Sequence, residues 1–431
     1  MSALKTLPSL QTLTINATYC KIPLKLNKIS GLSTISLKND DADFSDKTLE
    51  ALAKMVANSP QLTSIDLLSG LSSRKSRSYK HSLHYLLKHY PKDAAPLRLH
   101  HLGLDGCYLR LDSTTLPHLR SLKSLRLTRI IDPYAPSHGS LGANIDGTNQ
   151  LKQVGSSYED LWKIMENKGI WLERIDHDDV CPEFQQYLAT YSSLKILRLI
   201  PDTRYKGATY LKEQSKHFFG NSGPLLRHSQ NLEELIIKPR YEGGWCFDMY
   251  SSSESLSACV KLKKLGICVL AHQVLHQQEE HTTDMLHIDD LSASLYSNEA
   301  GPKRLATENA IVSDFPPGLN LHNSLLDLVQ RSLLDTVIPR MPNLEALKIF
   351  SAPSEYSRTA WCGTGMLDRT HVVQSEMMQT ATSYIAPASI QQLPSLAIQT
   401  GSYDSDTVFI AKRNVDDAGE NLGLMYVKFD S

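Results

Sequence analysis

An α/β architecture of stacked parallel strands is what this sequence predicts, on three observations. The first is a returning phrase, Leu-x-x-Leu-x-Leu, clearest at Leu102/Leu104, Leu125/Leu127 and Leu194/Leu197/Leu199. Further copies read Leu10/Leu13/Ile15, Leu32/Ile35/Leu37, Leu62/Ile65/Leu67, Leu232/Leu235/Ile237, Leu262/Leu265/Ile267 and Leu344/Leu347/Ile349, with a weaker one at Leu393/Leu396/Ile398. The second is the internal spacing. The last two apolar positions share one face of a short strand, while the residue between them faces the other way. The third is the helical pattern between copies, which supplies a cover for the leucines. Such a unit cannot bury its own apolar side and must stack on its neighbours. Together these predict a leucine-rich-repeat solenoid, a horseshoe with parallel strands on the concave face and helices on the convex face.

The elements follow in order. Residues 1–40 hold two short repeats. A helix is expected at about 45–57, with Ser45 as N-cap and Leu49, Leu52, Met55 and Val56 as its apolar stripe. It stops near Asn58-Ser59-Pro60, before the strand at Leu62–Leu67. A basic, serine-rich loop at 74–80 precedes a helix carrying Leu83, Leu86 and Leu87. Strands at Leu99–Leu104 and Leu122–Leu127 come next, then a Gly/Asn/Ser/Pro-rich insertion at 131–156. A helix at 158–168 ends at Gly169, a degenerate strand reads Leu172/Ile175/His177, and Pro182 opens another helix leading to Leu194–Leu199. A longer return through Tyr210, Leu211, Phe218 and Phe219 reaches Leu232–Ile237. After Leu262–Ile267, a helix at about 323–338 and the strand Leu344–Ile349 resume the pattern, and Thr407–Lys412 and Leu424–Phe429 alternate like two strands around a polar turn.

The expected division is 1–270 for the first part of the solenoid, 271–322 for a polar insertion with disorder in part, 323–400 for the last repeats, and 401–431 for a strand pair capping the array.

Lys and Arg total 45 against 46 Asp and Glu, so no global charge draws the chain to nucleic acid or membrane. No run of roughly 18 apolar residues suggests a membrane span. The start, Met1-Ser2-Ala3-Leu4-Lys5, lacks the charged region and apolar core of a secretory signal. Seven scattered cysteines, an odd count without an end-capping cluster, fit reduced thiols in the cytoplasm or nucleus. A monomer is expected.

Candidate chemistry is sparse. His177, Asp178, Asp179 and Cys181 carry metal-ligand groups, but they follow a repeat strand where a polar turn is expected in any case. His272 and His276, with His281, His287, Asp289 and Asp290 after them, follow no ligand motif. Gly363-Thr364-Gly365 lacks the lysine and the strand–loop–helix setting of a phosphate cradle. The basic run at 74–80 reads as a solvated loop rather than a phosphate contact. No catalytic residue, cofactor or metal is therefore assigned.

The outward strand position is more informative. Repeat by repeat it reads Thr14, Ser36, Asp66, Gly103, Arg126, Asp176, Arg198, Ile236, Gly266 and Lys348. Strands stacked at roughly 5 Å would make Arg126, Asp176 and Arg198 neighbours, with Asp105, Lys238 and Phe350 one step along. A mixed-charge patch with an apolar end is expected on the concave surface, comprising Asp66, Asp105, Arg126, Asp176, Arg198, Lys238, Lys348 and Phe350. The competing expectation is an ion-pair ladder that satisfies itself and binds nothing. Charge reversal at Arg126 and Arg198 separates the two, since it should weaken a true partner.

The chain resembles the leucine-rich-repeat part of fungal F-box proteins, the large basidiomycete group in particular. The resemblance is carried by the irregular repeats and by Leu116-Pro117-His118-Leu119-Arg120-Ser121-Leu122, Ser229-Gln230-Asn231-Leu232-Glu233-Glu234-Leu235 and Tyr241-Glu242-Gly243-Gly244-Trp245-Cys246-Phe247. It implies a ubiquitin-ligase substrate receptor whose repeats hold the substrate, with cullin-RING components as partners if an F-box lies upstream. The first repeat begins close to Met1, and no F-box residue is carried over. Two other classes stay open: a regulator of small GTPases acting from a solenoid rim, and a metal-dependent enzyme built on the His177 or His272 groups.

Overall fold

The computed structural model describes residues 10–18, 20, 22–39, 44–69, 81–109, 111–130, 160–201, 208–241, 243–247, 253–269, 333–352, 377–387, 390–399, 406–415 and 421–429. The basic run at 74–80, the insertions at 131–156 and 271–320, the His272 group and Gly363–Gly365 lie outside them.

The chain is α/β, and its described residues build one open sheet of thirteen strands whose spatial order is their chain order. The strands are β1 (Thr12–Asn16), β2 (Thr34–Asn39), β3 (Ser64–Ser69), β4 (His101–Asp105), β5 (Ser124–Thr128), β6 (Arg174–His177), β7 (Ile196–Leu199), β8 (Glu234–Ile237), β9 (Lys264–Val269), β10 (Ala346–Ser351), β11 (Ser395–Gln399), β12 (Asp406–Val415) and β13 (Asn421–Lys428). β1 to β11 pair in parallel, and β12 and β13 add antiparallel.

Repetition of one phrase fixes the register. Ile35, Ile65, Leu102, Leu125, Ile175, Leu197, Leu235, Leu265, Leu347 and Leu396 form one row of Cα partners. These side chains are buried and belong to one continuous core with residues from the helices. Each strand is also tied to its predecessor just before it starts. The N–H groups of Glu173, Lys195, Glu233, Lys263 and Glu345 donate to the carbonyls of Lys123, Glu173, Lys195, Glu233 and Lys263.

The first helix, Asp46–Ala57, begins where expected: Ser45 Oγ accepts from Thr48 N–H at 3.3 Å and caps it. Leu49, Leu52, Met55 and Val56 are its buried stripe. The helices Asp160–Asn167 and Pro182–Ala189 match the sequence expectation, and Gly169 takes the left-handed conformation (φ 62°) just past the first of them. The expected helix at 323–338 is described only from residue 333, as a wide helical turn followed by the 3-10 turn Ile338–Arg340. Residues 377–383 form a helix that the sequence reading did not pick out.

An aromatic cluster occupies the middle of the core. Trp162 packs on His177, Phe184 and Tyr187, with ring centroids 5.2, 4.7 and 5.2 Å away. Tyr187 Oη donates to Ile170 O at 2.7 Å and accepts from Leu172 N–H at 3.3 Å, so one hydroxyl pins the link into β6. No disulfide joins any of the six described cysteines, five of which are buried. No described helix is long and apolar enough to cross a membrane.

Candidate functional site

The face of the sheet opposite the leucine core carries the candidate site. Alternation along each strand sends the outward positions there, and the register aligns Thr14, Ser36, Asp66, Gly103, Arg126, Asp176, Arg198, Ile236, Gly266 and Lys348 into one row across ten strands. The order read from sequence is the observed order. A second row, one step toward the strand starts, holds His101, Ser124, Arg174 and Glu234.

These rows form one charge network over β3 to β8. Arg126 donates from Nε to Asp176 Oδ2 at 3.2 Å, and Arg174 donates from Nη2 to the same oxygen at 3.1 Å. Arg198 donates from Nε to Glu234 Oε1 at 2.5 Å and sits 4.0 Å from Asp176 Oδ1. Asp66 approaches Arg126 Nη1 at 3.8 Å and His101 Nε2 at 3.1 Å, and His101 Nδ1 lies 2.8 Å from Ser124 Oγ. Burial alone would push the Asp66 carboxyl up. The hydrogen bond from His101 and the charges of His101 and Arg126 outweigh it, leaving Asp66 below the usual carboxylate range.

The layering matters as much as the pairing. The acidic side chains lie deeper, with Asp176 11%, Glu234 9% and Asp66 20% exposed, while Arg126, Arg174 and Arg198 are 30%, 31% and 37% exposed. Carboxylates form the floor and guanidinium groups the outer layer.

A missing side chain makes the reach possible. Asp66 lies across β4 at Gly103, where a Cβ would stand 1.8 Å from Asp66 Oδ1. Gly266 acts the same way on β9, where a Cβ would meet Phe350 Cε2 at 3.0 Å and Ile236 at 3.1 Å. There the row turns apolar: Cys246, Cys268, Phe350 and Ala352 form a small buried cluster on the open face, with Ile236 against it. Phe350, expected at the surface, is only 3% exposed. The segment around Cys246 lies beside β9, with Phe247 N–H donating to Cys268 O at 2.6 Å, and Lys238 and Lys348 sit 5.2 and 5.3 Å from the Phe350 ring centre. Lys348 also donates to Asp406 at 2.5 Å.

Asp105 is engaged by a residue the sequence reading missed. Arg129 holds it with both Nε, at 2.6 Å, and Nη2, and donates to Ser69 O at 2.8 Å. Arg129 has φ 52°, unusual for a side chain of this size, and its own N–H donates to Asp178 Oδ2 at 2.5 Å.

A second missed feature runs along the strand-entry edge. Lys123, Glu173, Lys195, Glu233, Lys263 and Glu345 alternate in sign, with Lys195 2.8 Å from Glu173 and Lys263 2.9 Å from Glu233. The signal was in the sequence: each is the residue directly after the first leucine of its phrase.

His177 stands in a leucine slot. Its ring is fully buried, its Nδ1 is 3.0 Å from Leu127 O, and its edge meets Trp162 and Phe184. Among the described residues, no three His, Cys, Asp or Glu side chains converge as a metal site would require.

The chain matches no protein-family model and no curated protein.

Proposed function

We propose that this chain is a non-catalytic protein-interaction scaffold: a leucine-rich-repeat solenoid whose concave, strand-lined face receives a protein partner. The observation that carries the reading is the layered charge network over β3 to β8, on a sheet face opposite the one packed against the helices. The side chains there are held in fixed positions by one another, which lowers the ordering cost of binding. They pair in a lateral lattice rather than converging on one reacting atom, and the reading assigns no catalytic residue. Repetition of the same backbone bond from strand entry to strand entry is the construction expected of a solenoid. By its resemblance, the closest functional model is the substrate-holding repeat region of fungal F-box ubiquitin-ligase receptors. We place it in the cytoplasm or nucleus, where buried thiols such as Cys107 and Cys259 stay reduced.

The test is affinity purification of the full chain with mass spectrometry, followed by hydrogen exchange on any complex recovered. A stable partner that protects β4 to β8 is the expected result. Co-purifying adaptor and cullin subunits would indicate ligase membership, and a small GTPase would indicate the regulator class. A partner that protects only the helices overturns the strand face as the site.

A further inference from the structure

We infer that the outer guanidinium layer formed by Arg126, Arg174 and Arg198 docks a carboxylate-rich, extended segment of a protein partner. The inference rests on the scaffold reading above and names the chemistry of its partner.

Three observations carry it. The acidic members of the network are buried beneath the arginines, so an approaching chain meets cations first. The arginines are also incompletely used. Among the described residues, Arg126 and Arg198 each hydrogen-bond a carboxylate only through Nε, and Arg174 only through Nη2. Arg126 Nη1 stands 3.8 Å from Asp66, beyond hydrogen-bond reach, so the terminal nitrogens of Arg126 and Arg198 can still donate to a second acceptor, and a guanidinium fork matches a carboxylate geometrically. Finally, the floor fixes their positions. Asp176 takes two of the three arginines on one oxygen, and Glu234 anchors the third.

The spacing selects a pattern. Arg126 and Arg198 lie on β5 and β7, two strands apart and so separated by about 10 Å. An extended peptide in the polyproline II conformation rises about 3.1 Å per residue with about three residues per turn, so acidic residues three apart share one side and span about 9 Å. The preferred segment carries a Glu-x-x-Glu spacing and crosses the strands.

The experiment is fluorescence anisotropy on the full chain, using a labelled peptide of repeated Glu-Ser-Ser units against its Gln-Ser-Ser counterpart and a labelled DNA duplex. The acidic peptide should bind at least ten-fold more tightly than the glutamine peptide, and raising salt from about 0.05 to 0.5 M should weaken it about ten-fold or more. The paired variant Arg198→Gln/Glu234→Gln removes the outer cation together with its buried partner, so no charge is stranded, and it should lose ten-fold or more in affinity. If that variant does not fold, Arg126→Lys keeps the charge and removes the fork; it should fold and bind several-fold more weakly. Equal binding of the two peptides overturns the inference. So does unchanged binding by the variants, or equally tight binding of the duplex. Should both peptides fail while a purified partner still protects β4 to β8, the acidic docking chemistry is wrong and the scaffold reading stands.

Discussion

Asp66 and Gly103 compete for one volume: the carboxylate of β3 fills the space that any side chain on β4 would need, its Oδ1 lying 1.8 Å from where a Cβ would be. Gly103→Ala must therefore expel Asp66 from His101 and Arg126. It should lower stability by about 1–2 kcal/mol, the scale of a lost charge-assisted hydrogen bond together with overpacking. The added cost should largely vanish when Asp66→Ala is already present. Chemical denaturation of the four chains in a double-mutant cycle reads the coupling, expected to exceed about 0.5 kcal/mol.

His177 sits where the phrase calls for leucine. His177→Ala removes a fully buried ring and its contacts with Trp162 and Phe184, and should cost about 2–4 kcal/mol. His177→Leu restores the repeat's own residue and should cost less. Melting temperatures of the two variants check the order; equal losses would mean the bond to Leu127 O outweighs the packing.

Tyr187→Phe deletes one hydroxyl while keeping the ring among Trp162, Trp171 and Tyr191. The Ile170 carbonyl and the Leu172 N–H both lose their bond to it in a buried setting. A loss of about 1–3 kcal/mol is expected, with hydrogen exchange accelerated at residues 170–172.

Acid should weaken the fold in two stages. Burial depresses His228 from its ordinary 6.5 to about 4, its ring resting 2.9 Å from Leu188 O. The unfolded chain thus takes up this proton before the folded one. Stability is full above pH 6.5 and declines toward pH 4, by about 3 kcal/mol at most. Asp66 and Asp112, which burial would raise but His101 and His84 hold low, add a loss only below their ordinary value of 3.8. Urea midpoints between pH 7 and 4 should fall for the native chain and stay flatter for His228→Gln.

The sheet was legible because its information is periodic. One phrase repeated in phase places each leucine beside the next, and the outward row from Thr14 to Lys348 follows without further assumption. What the spacing could not supply depends on space between strands. Spacing alone gives Gly103 no role in the outward row, yet its emptiness lets Asp66 reach toward Arg126. Phe350 read as a surface aromatic, but the segment around Cys246, far away in sequence, is packed with it. Arg129 escaped notice because nothing in the phrase marks a left-handed arginine just past a strand.

The strand-entry ladder bears on how such an array can grow. From Lys123 to Glu345 its sign flips with every unit. Excising the single unit of β7 would bring Glu173 beside Glu233, two carboxylates facing each other at strand spacing. Loss or duplication of two consecutive units keeps opposite signs in contact. Removing one unit would thus put like charges in contact on the rim, whereas removing two in a row would not.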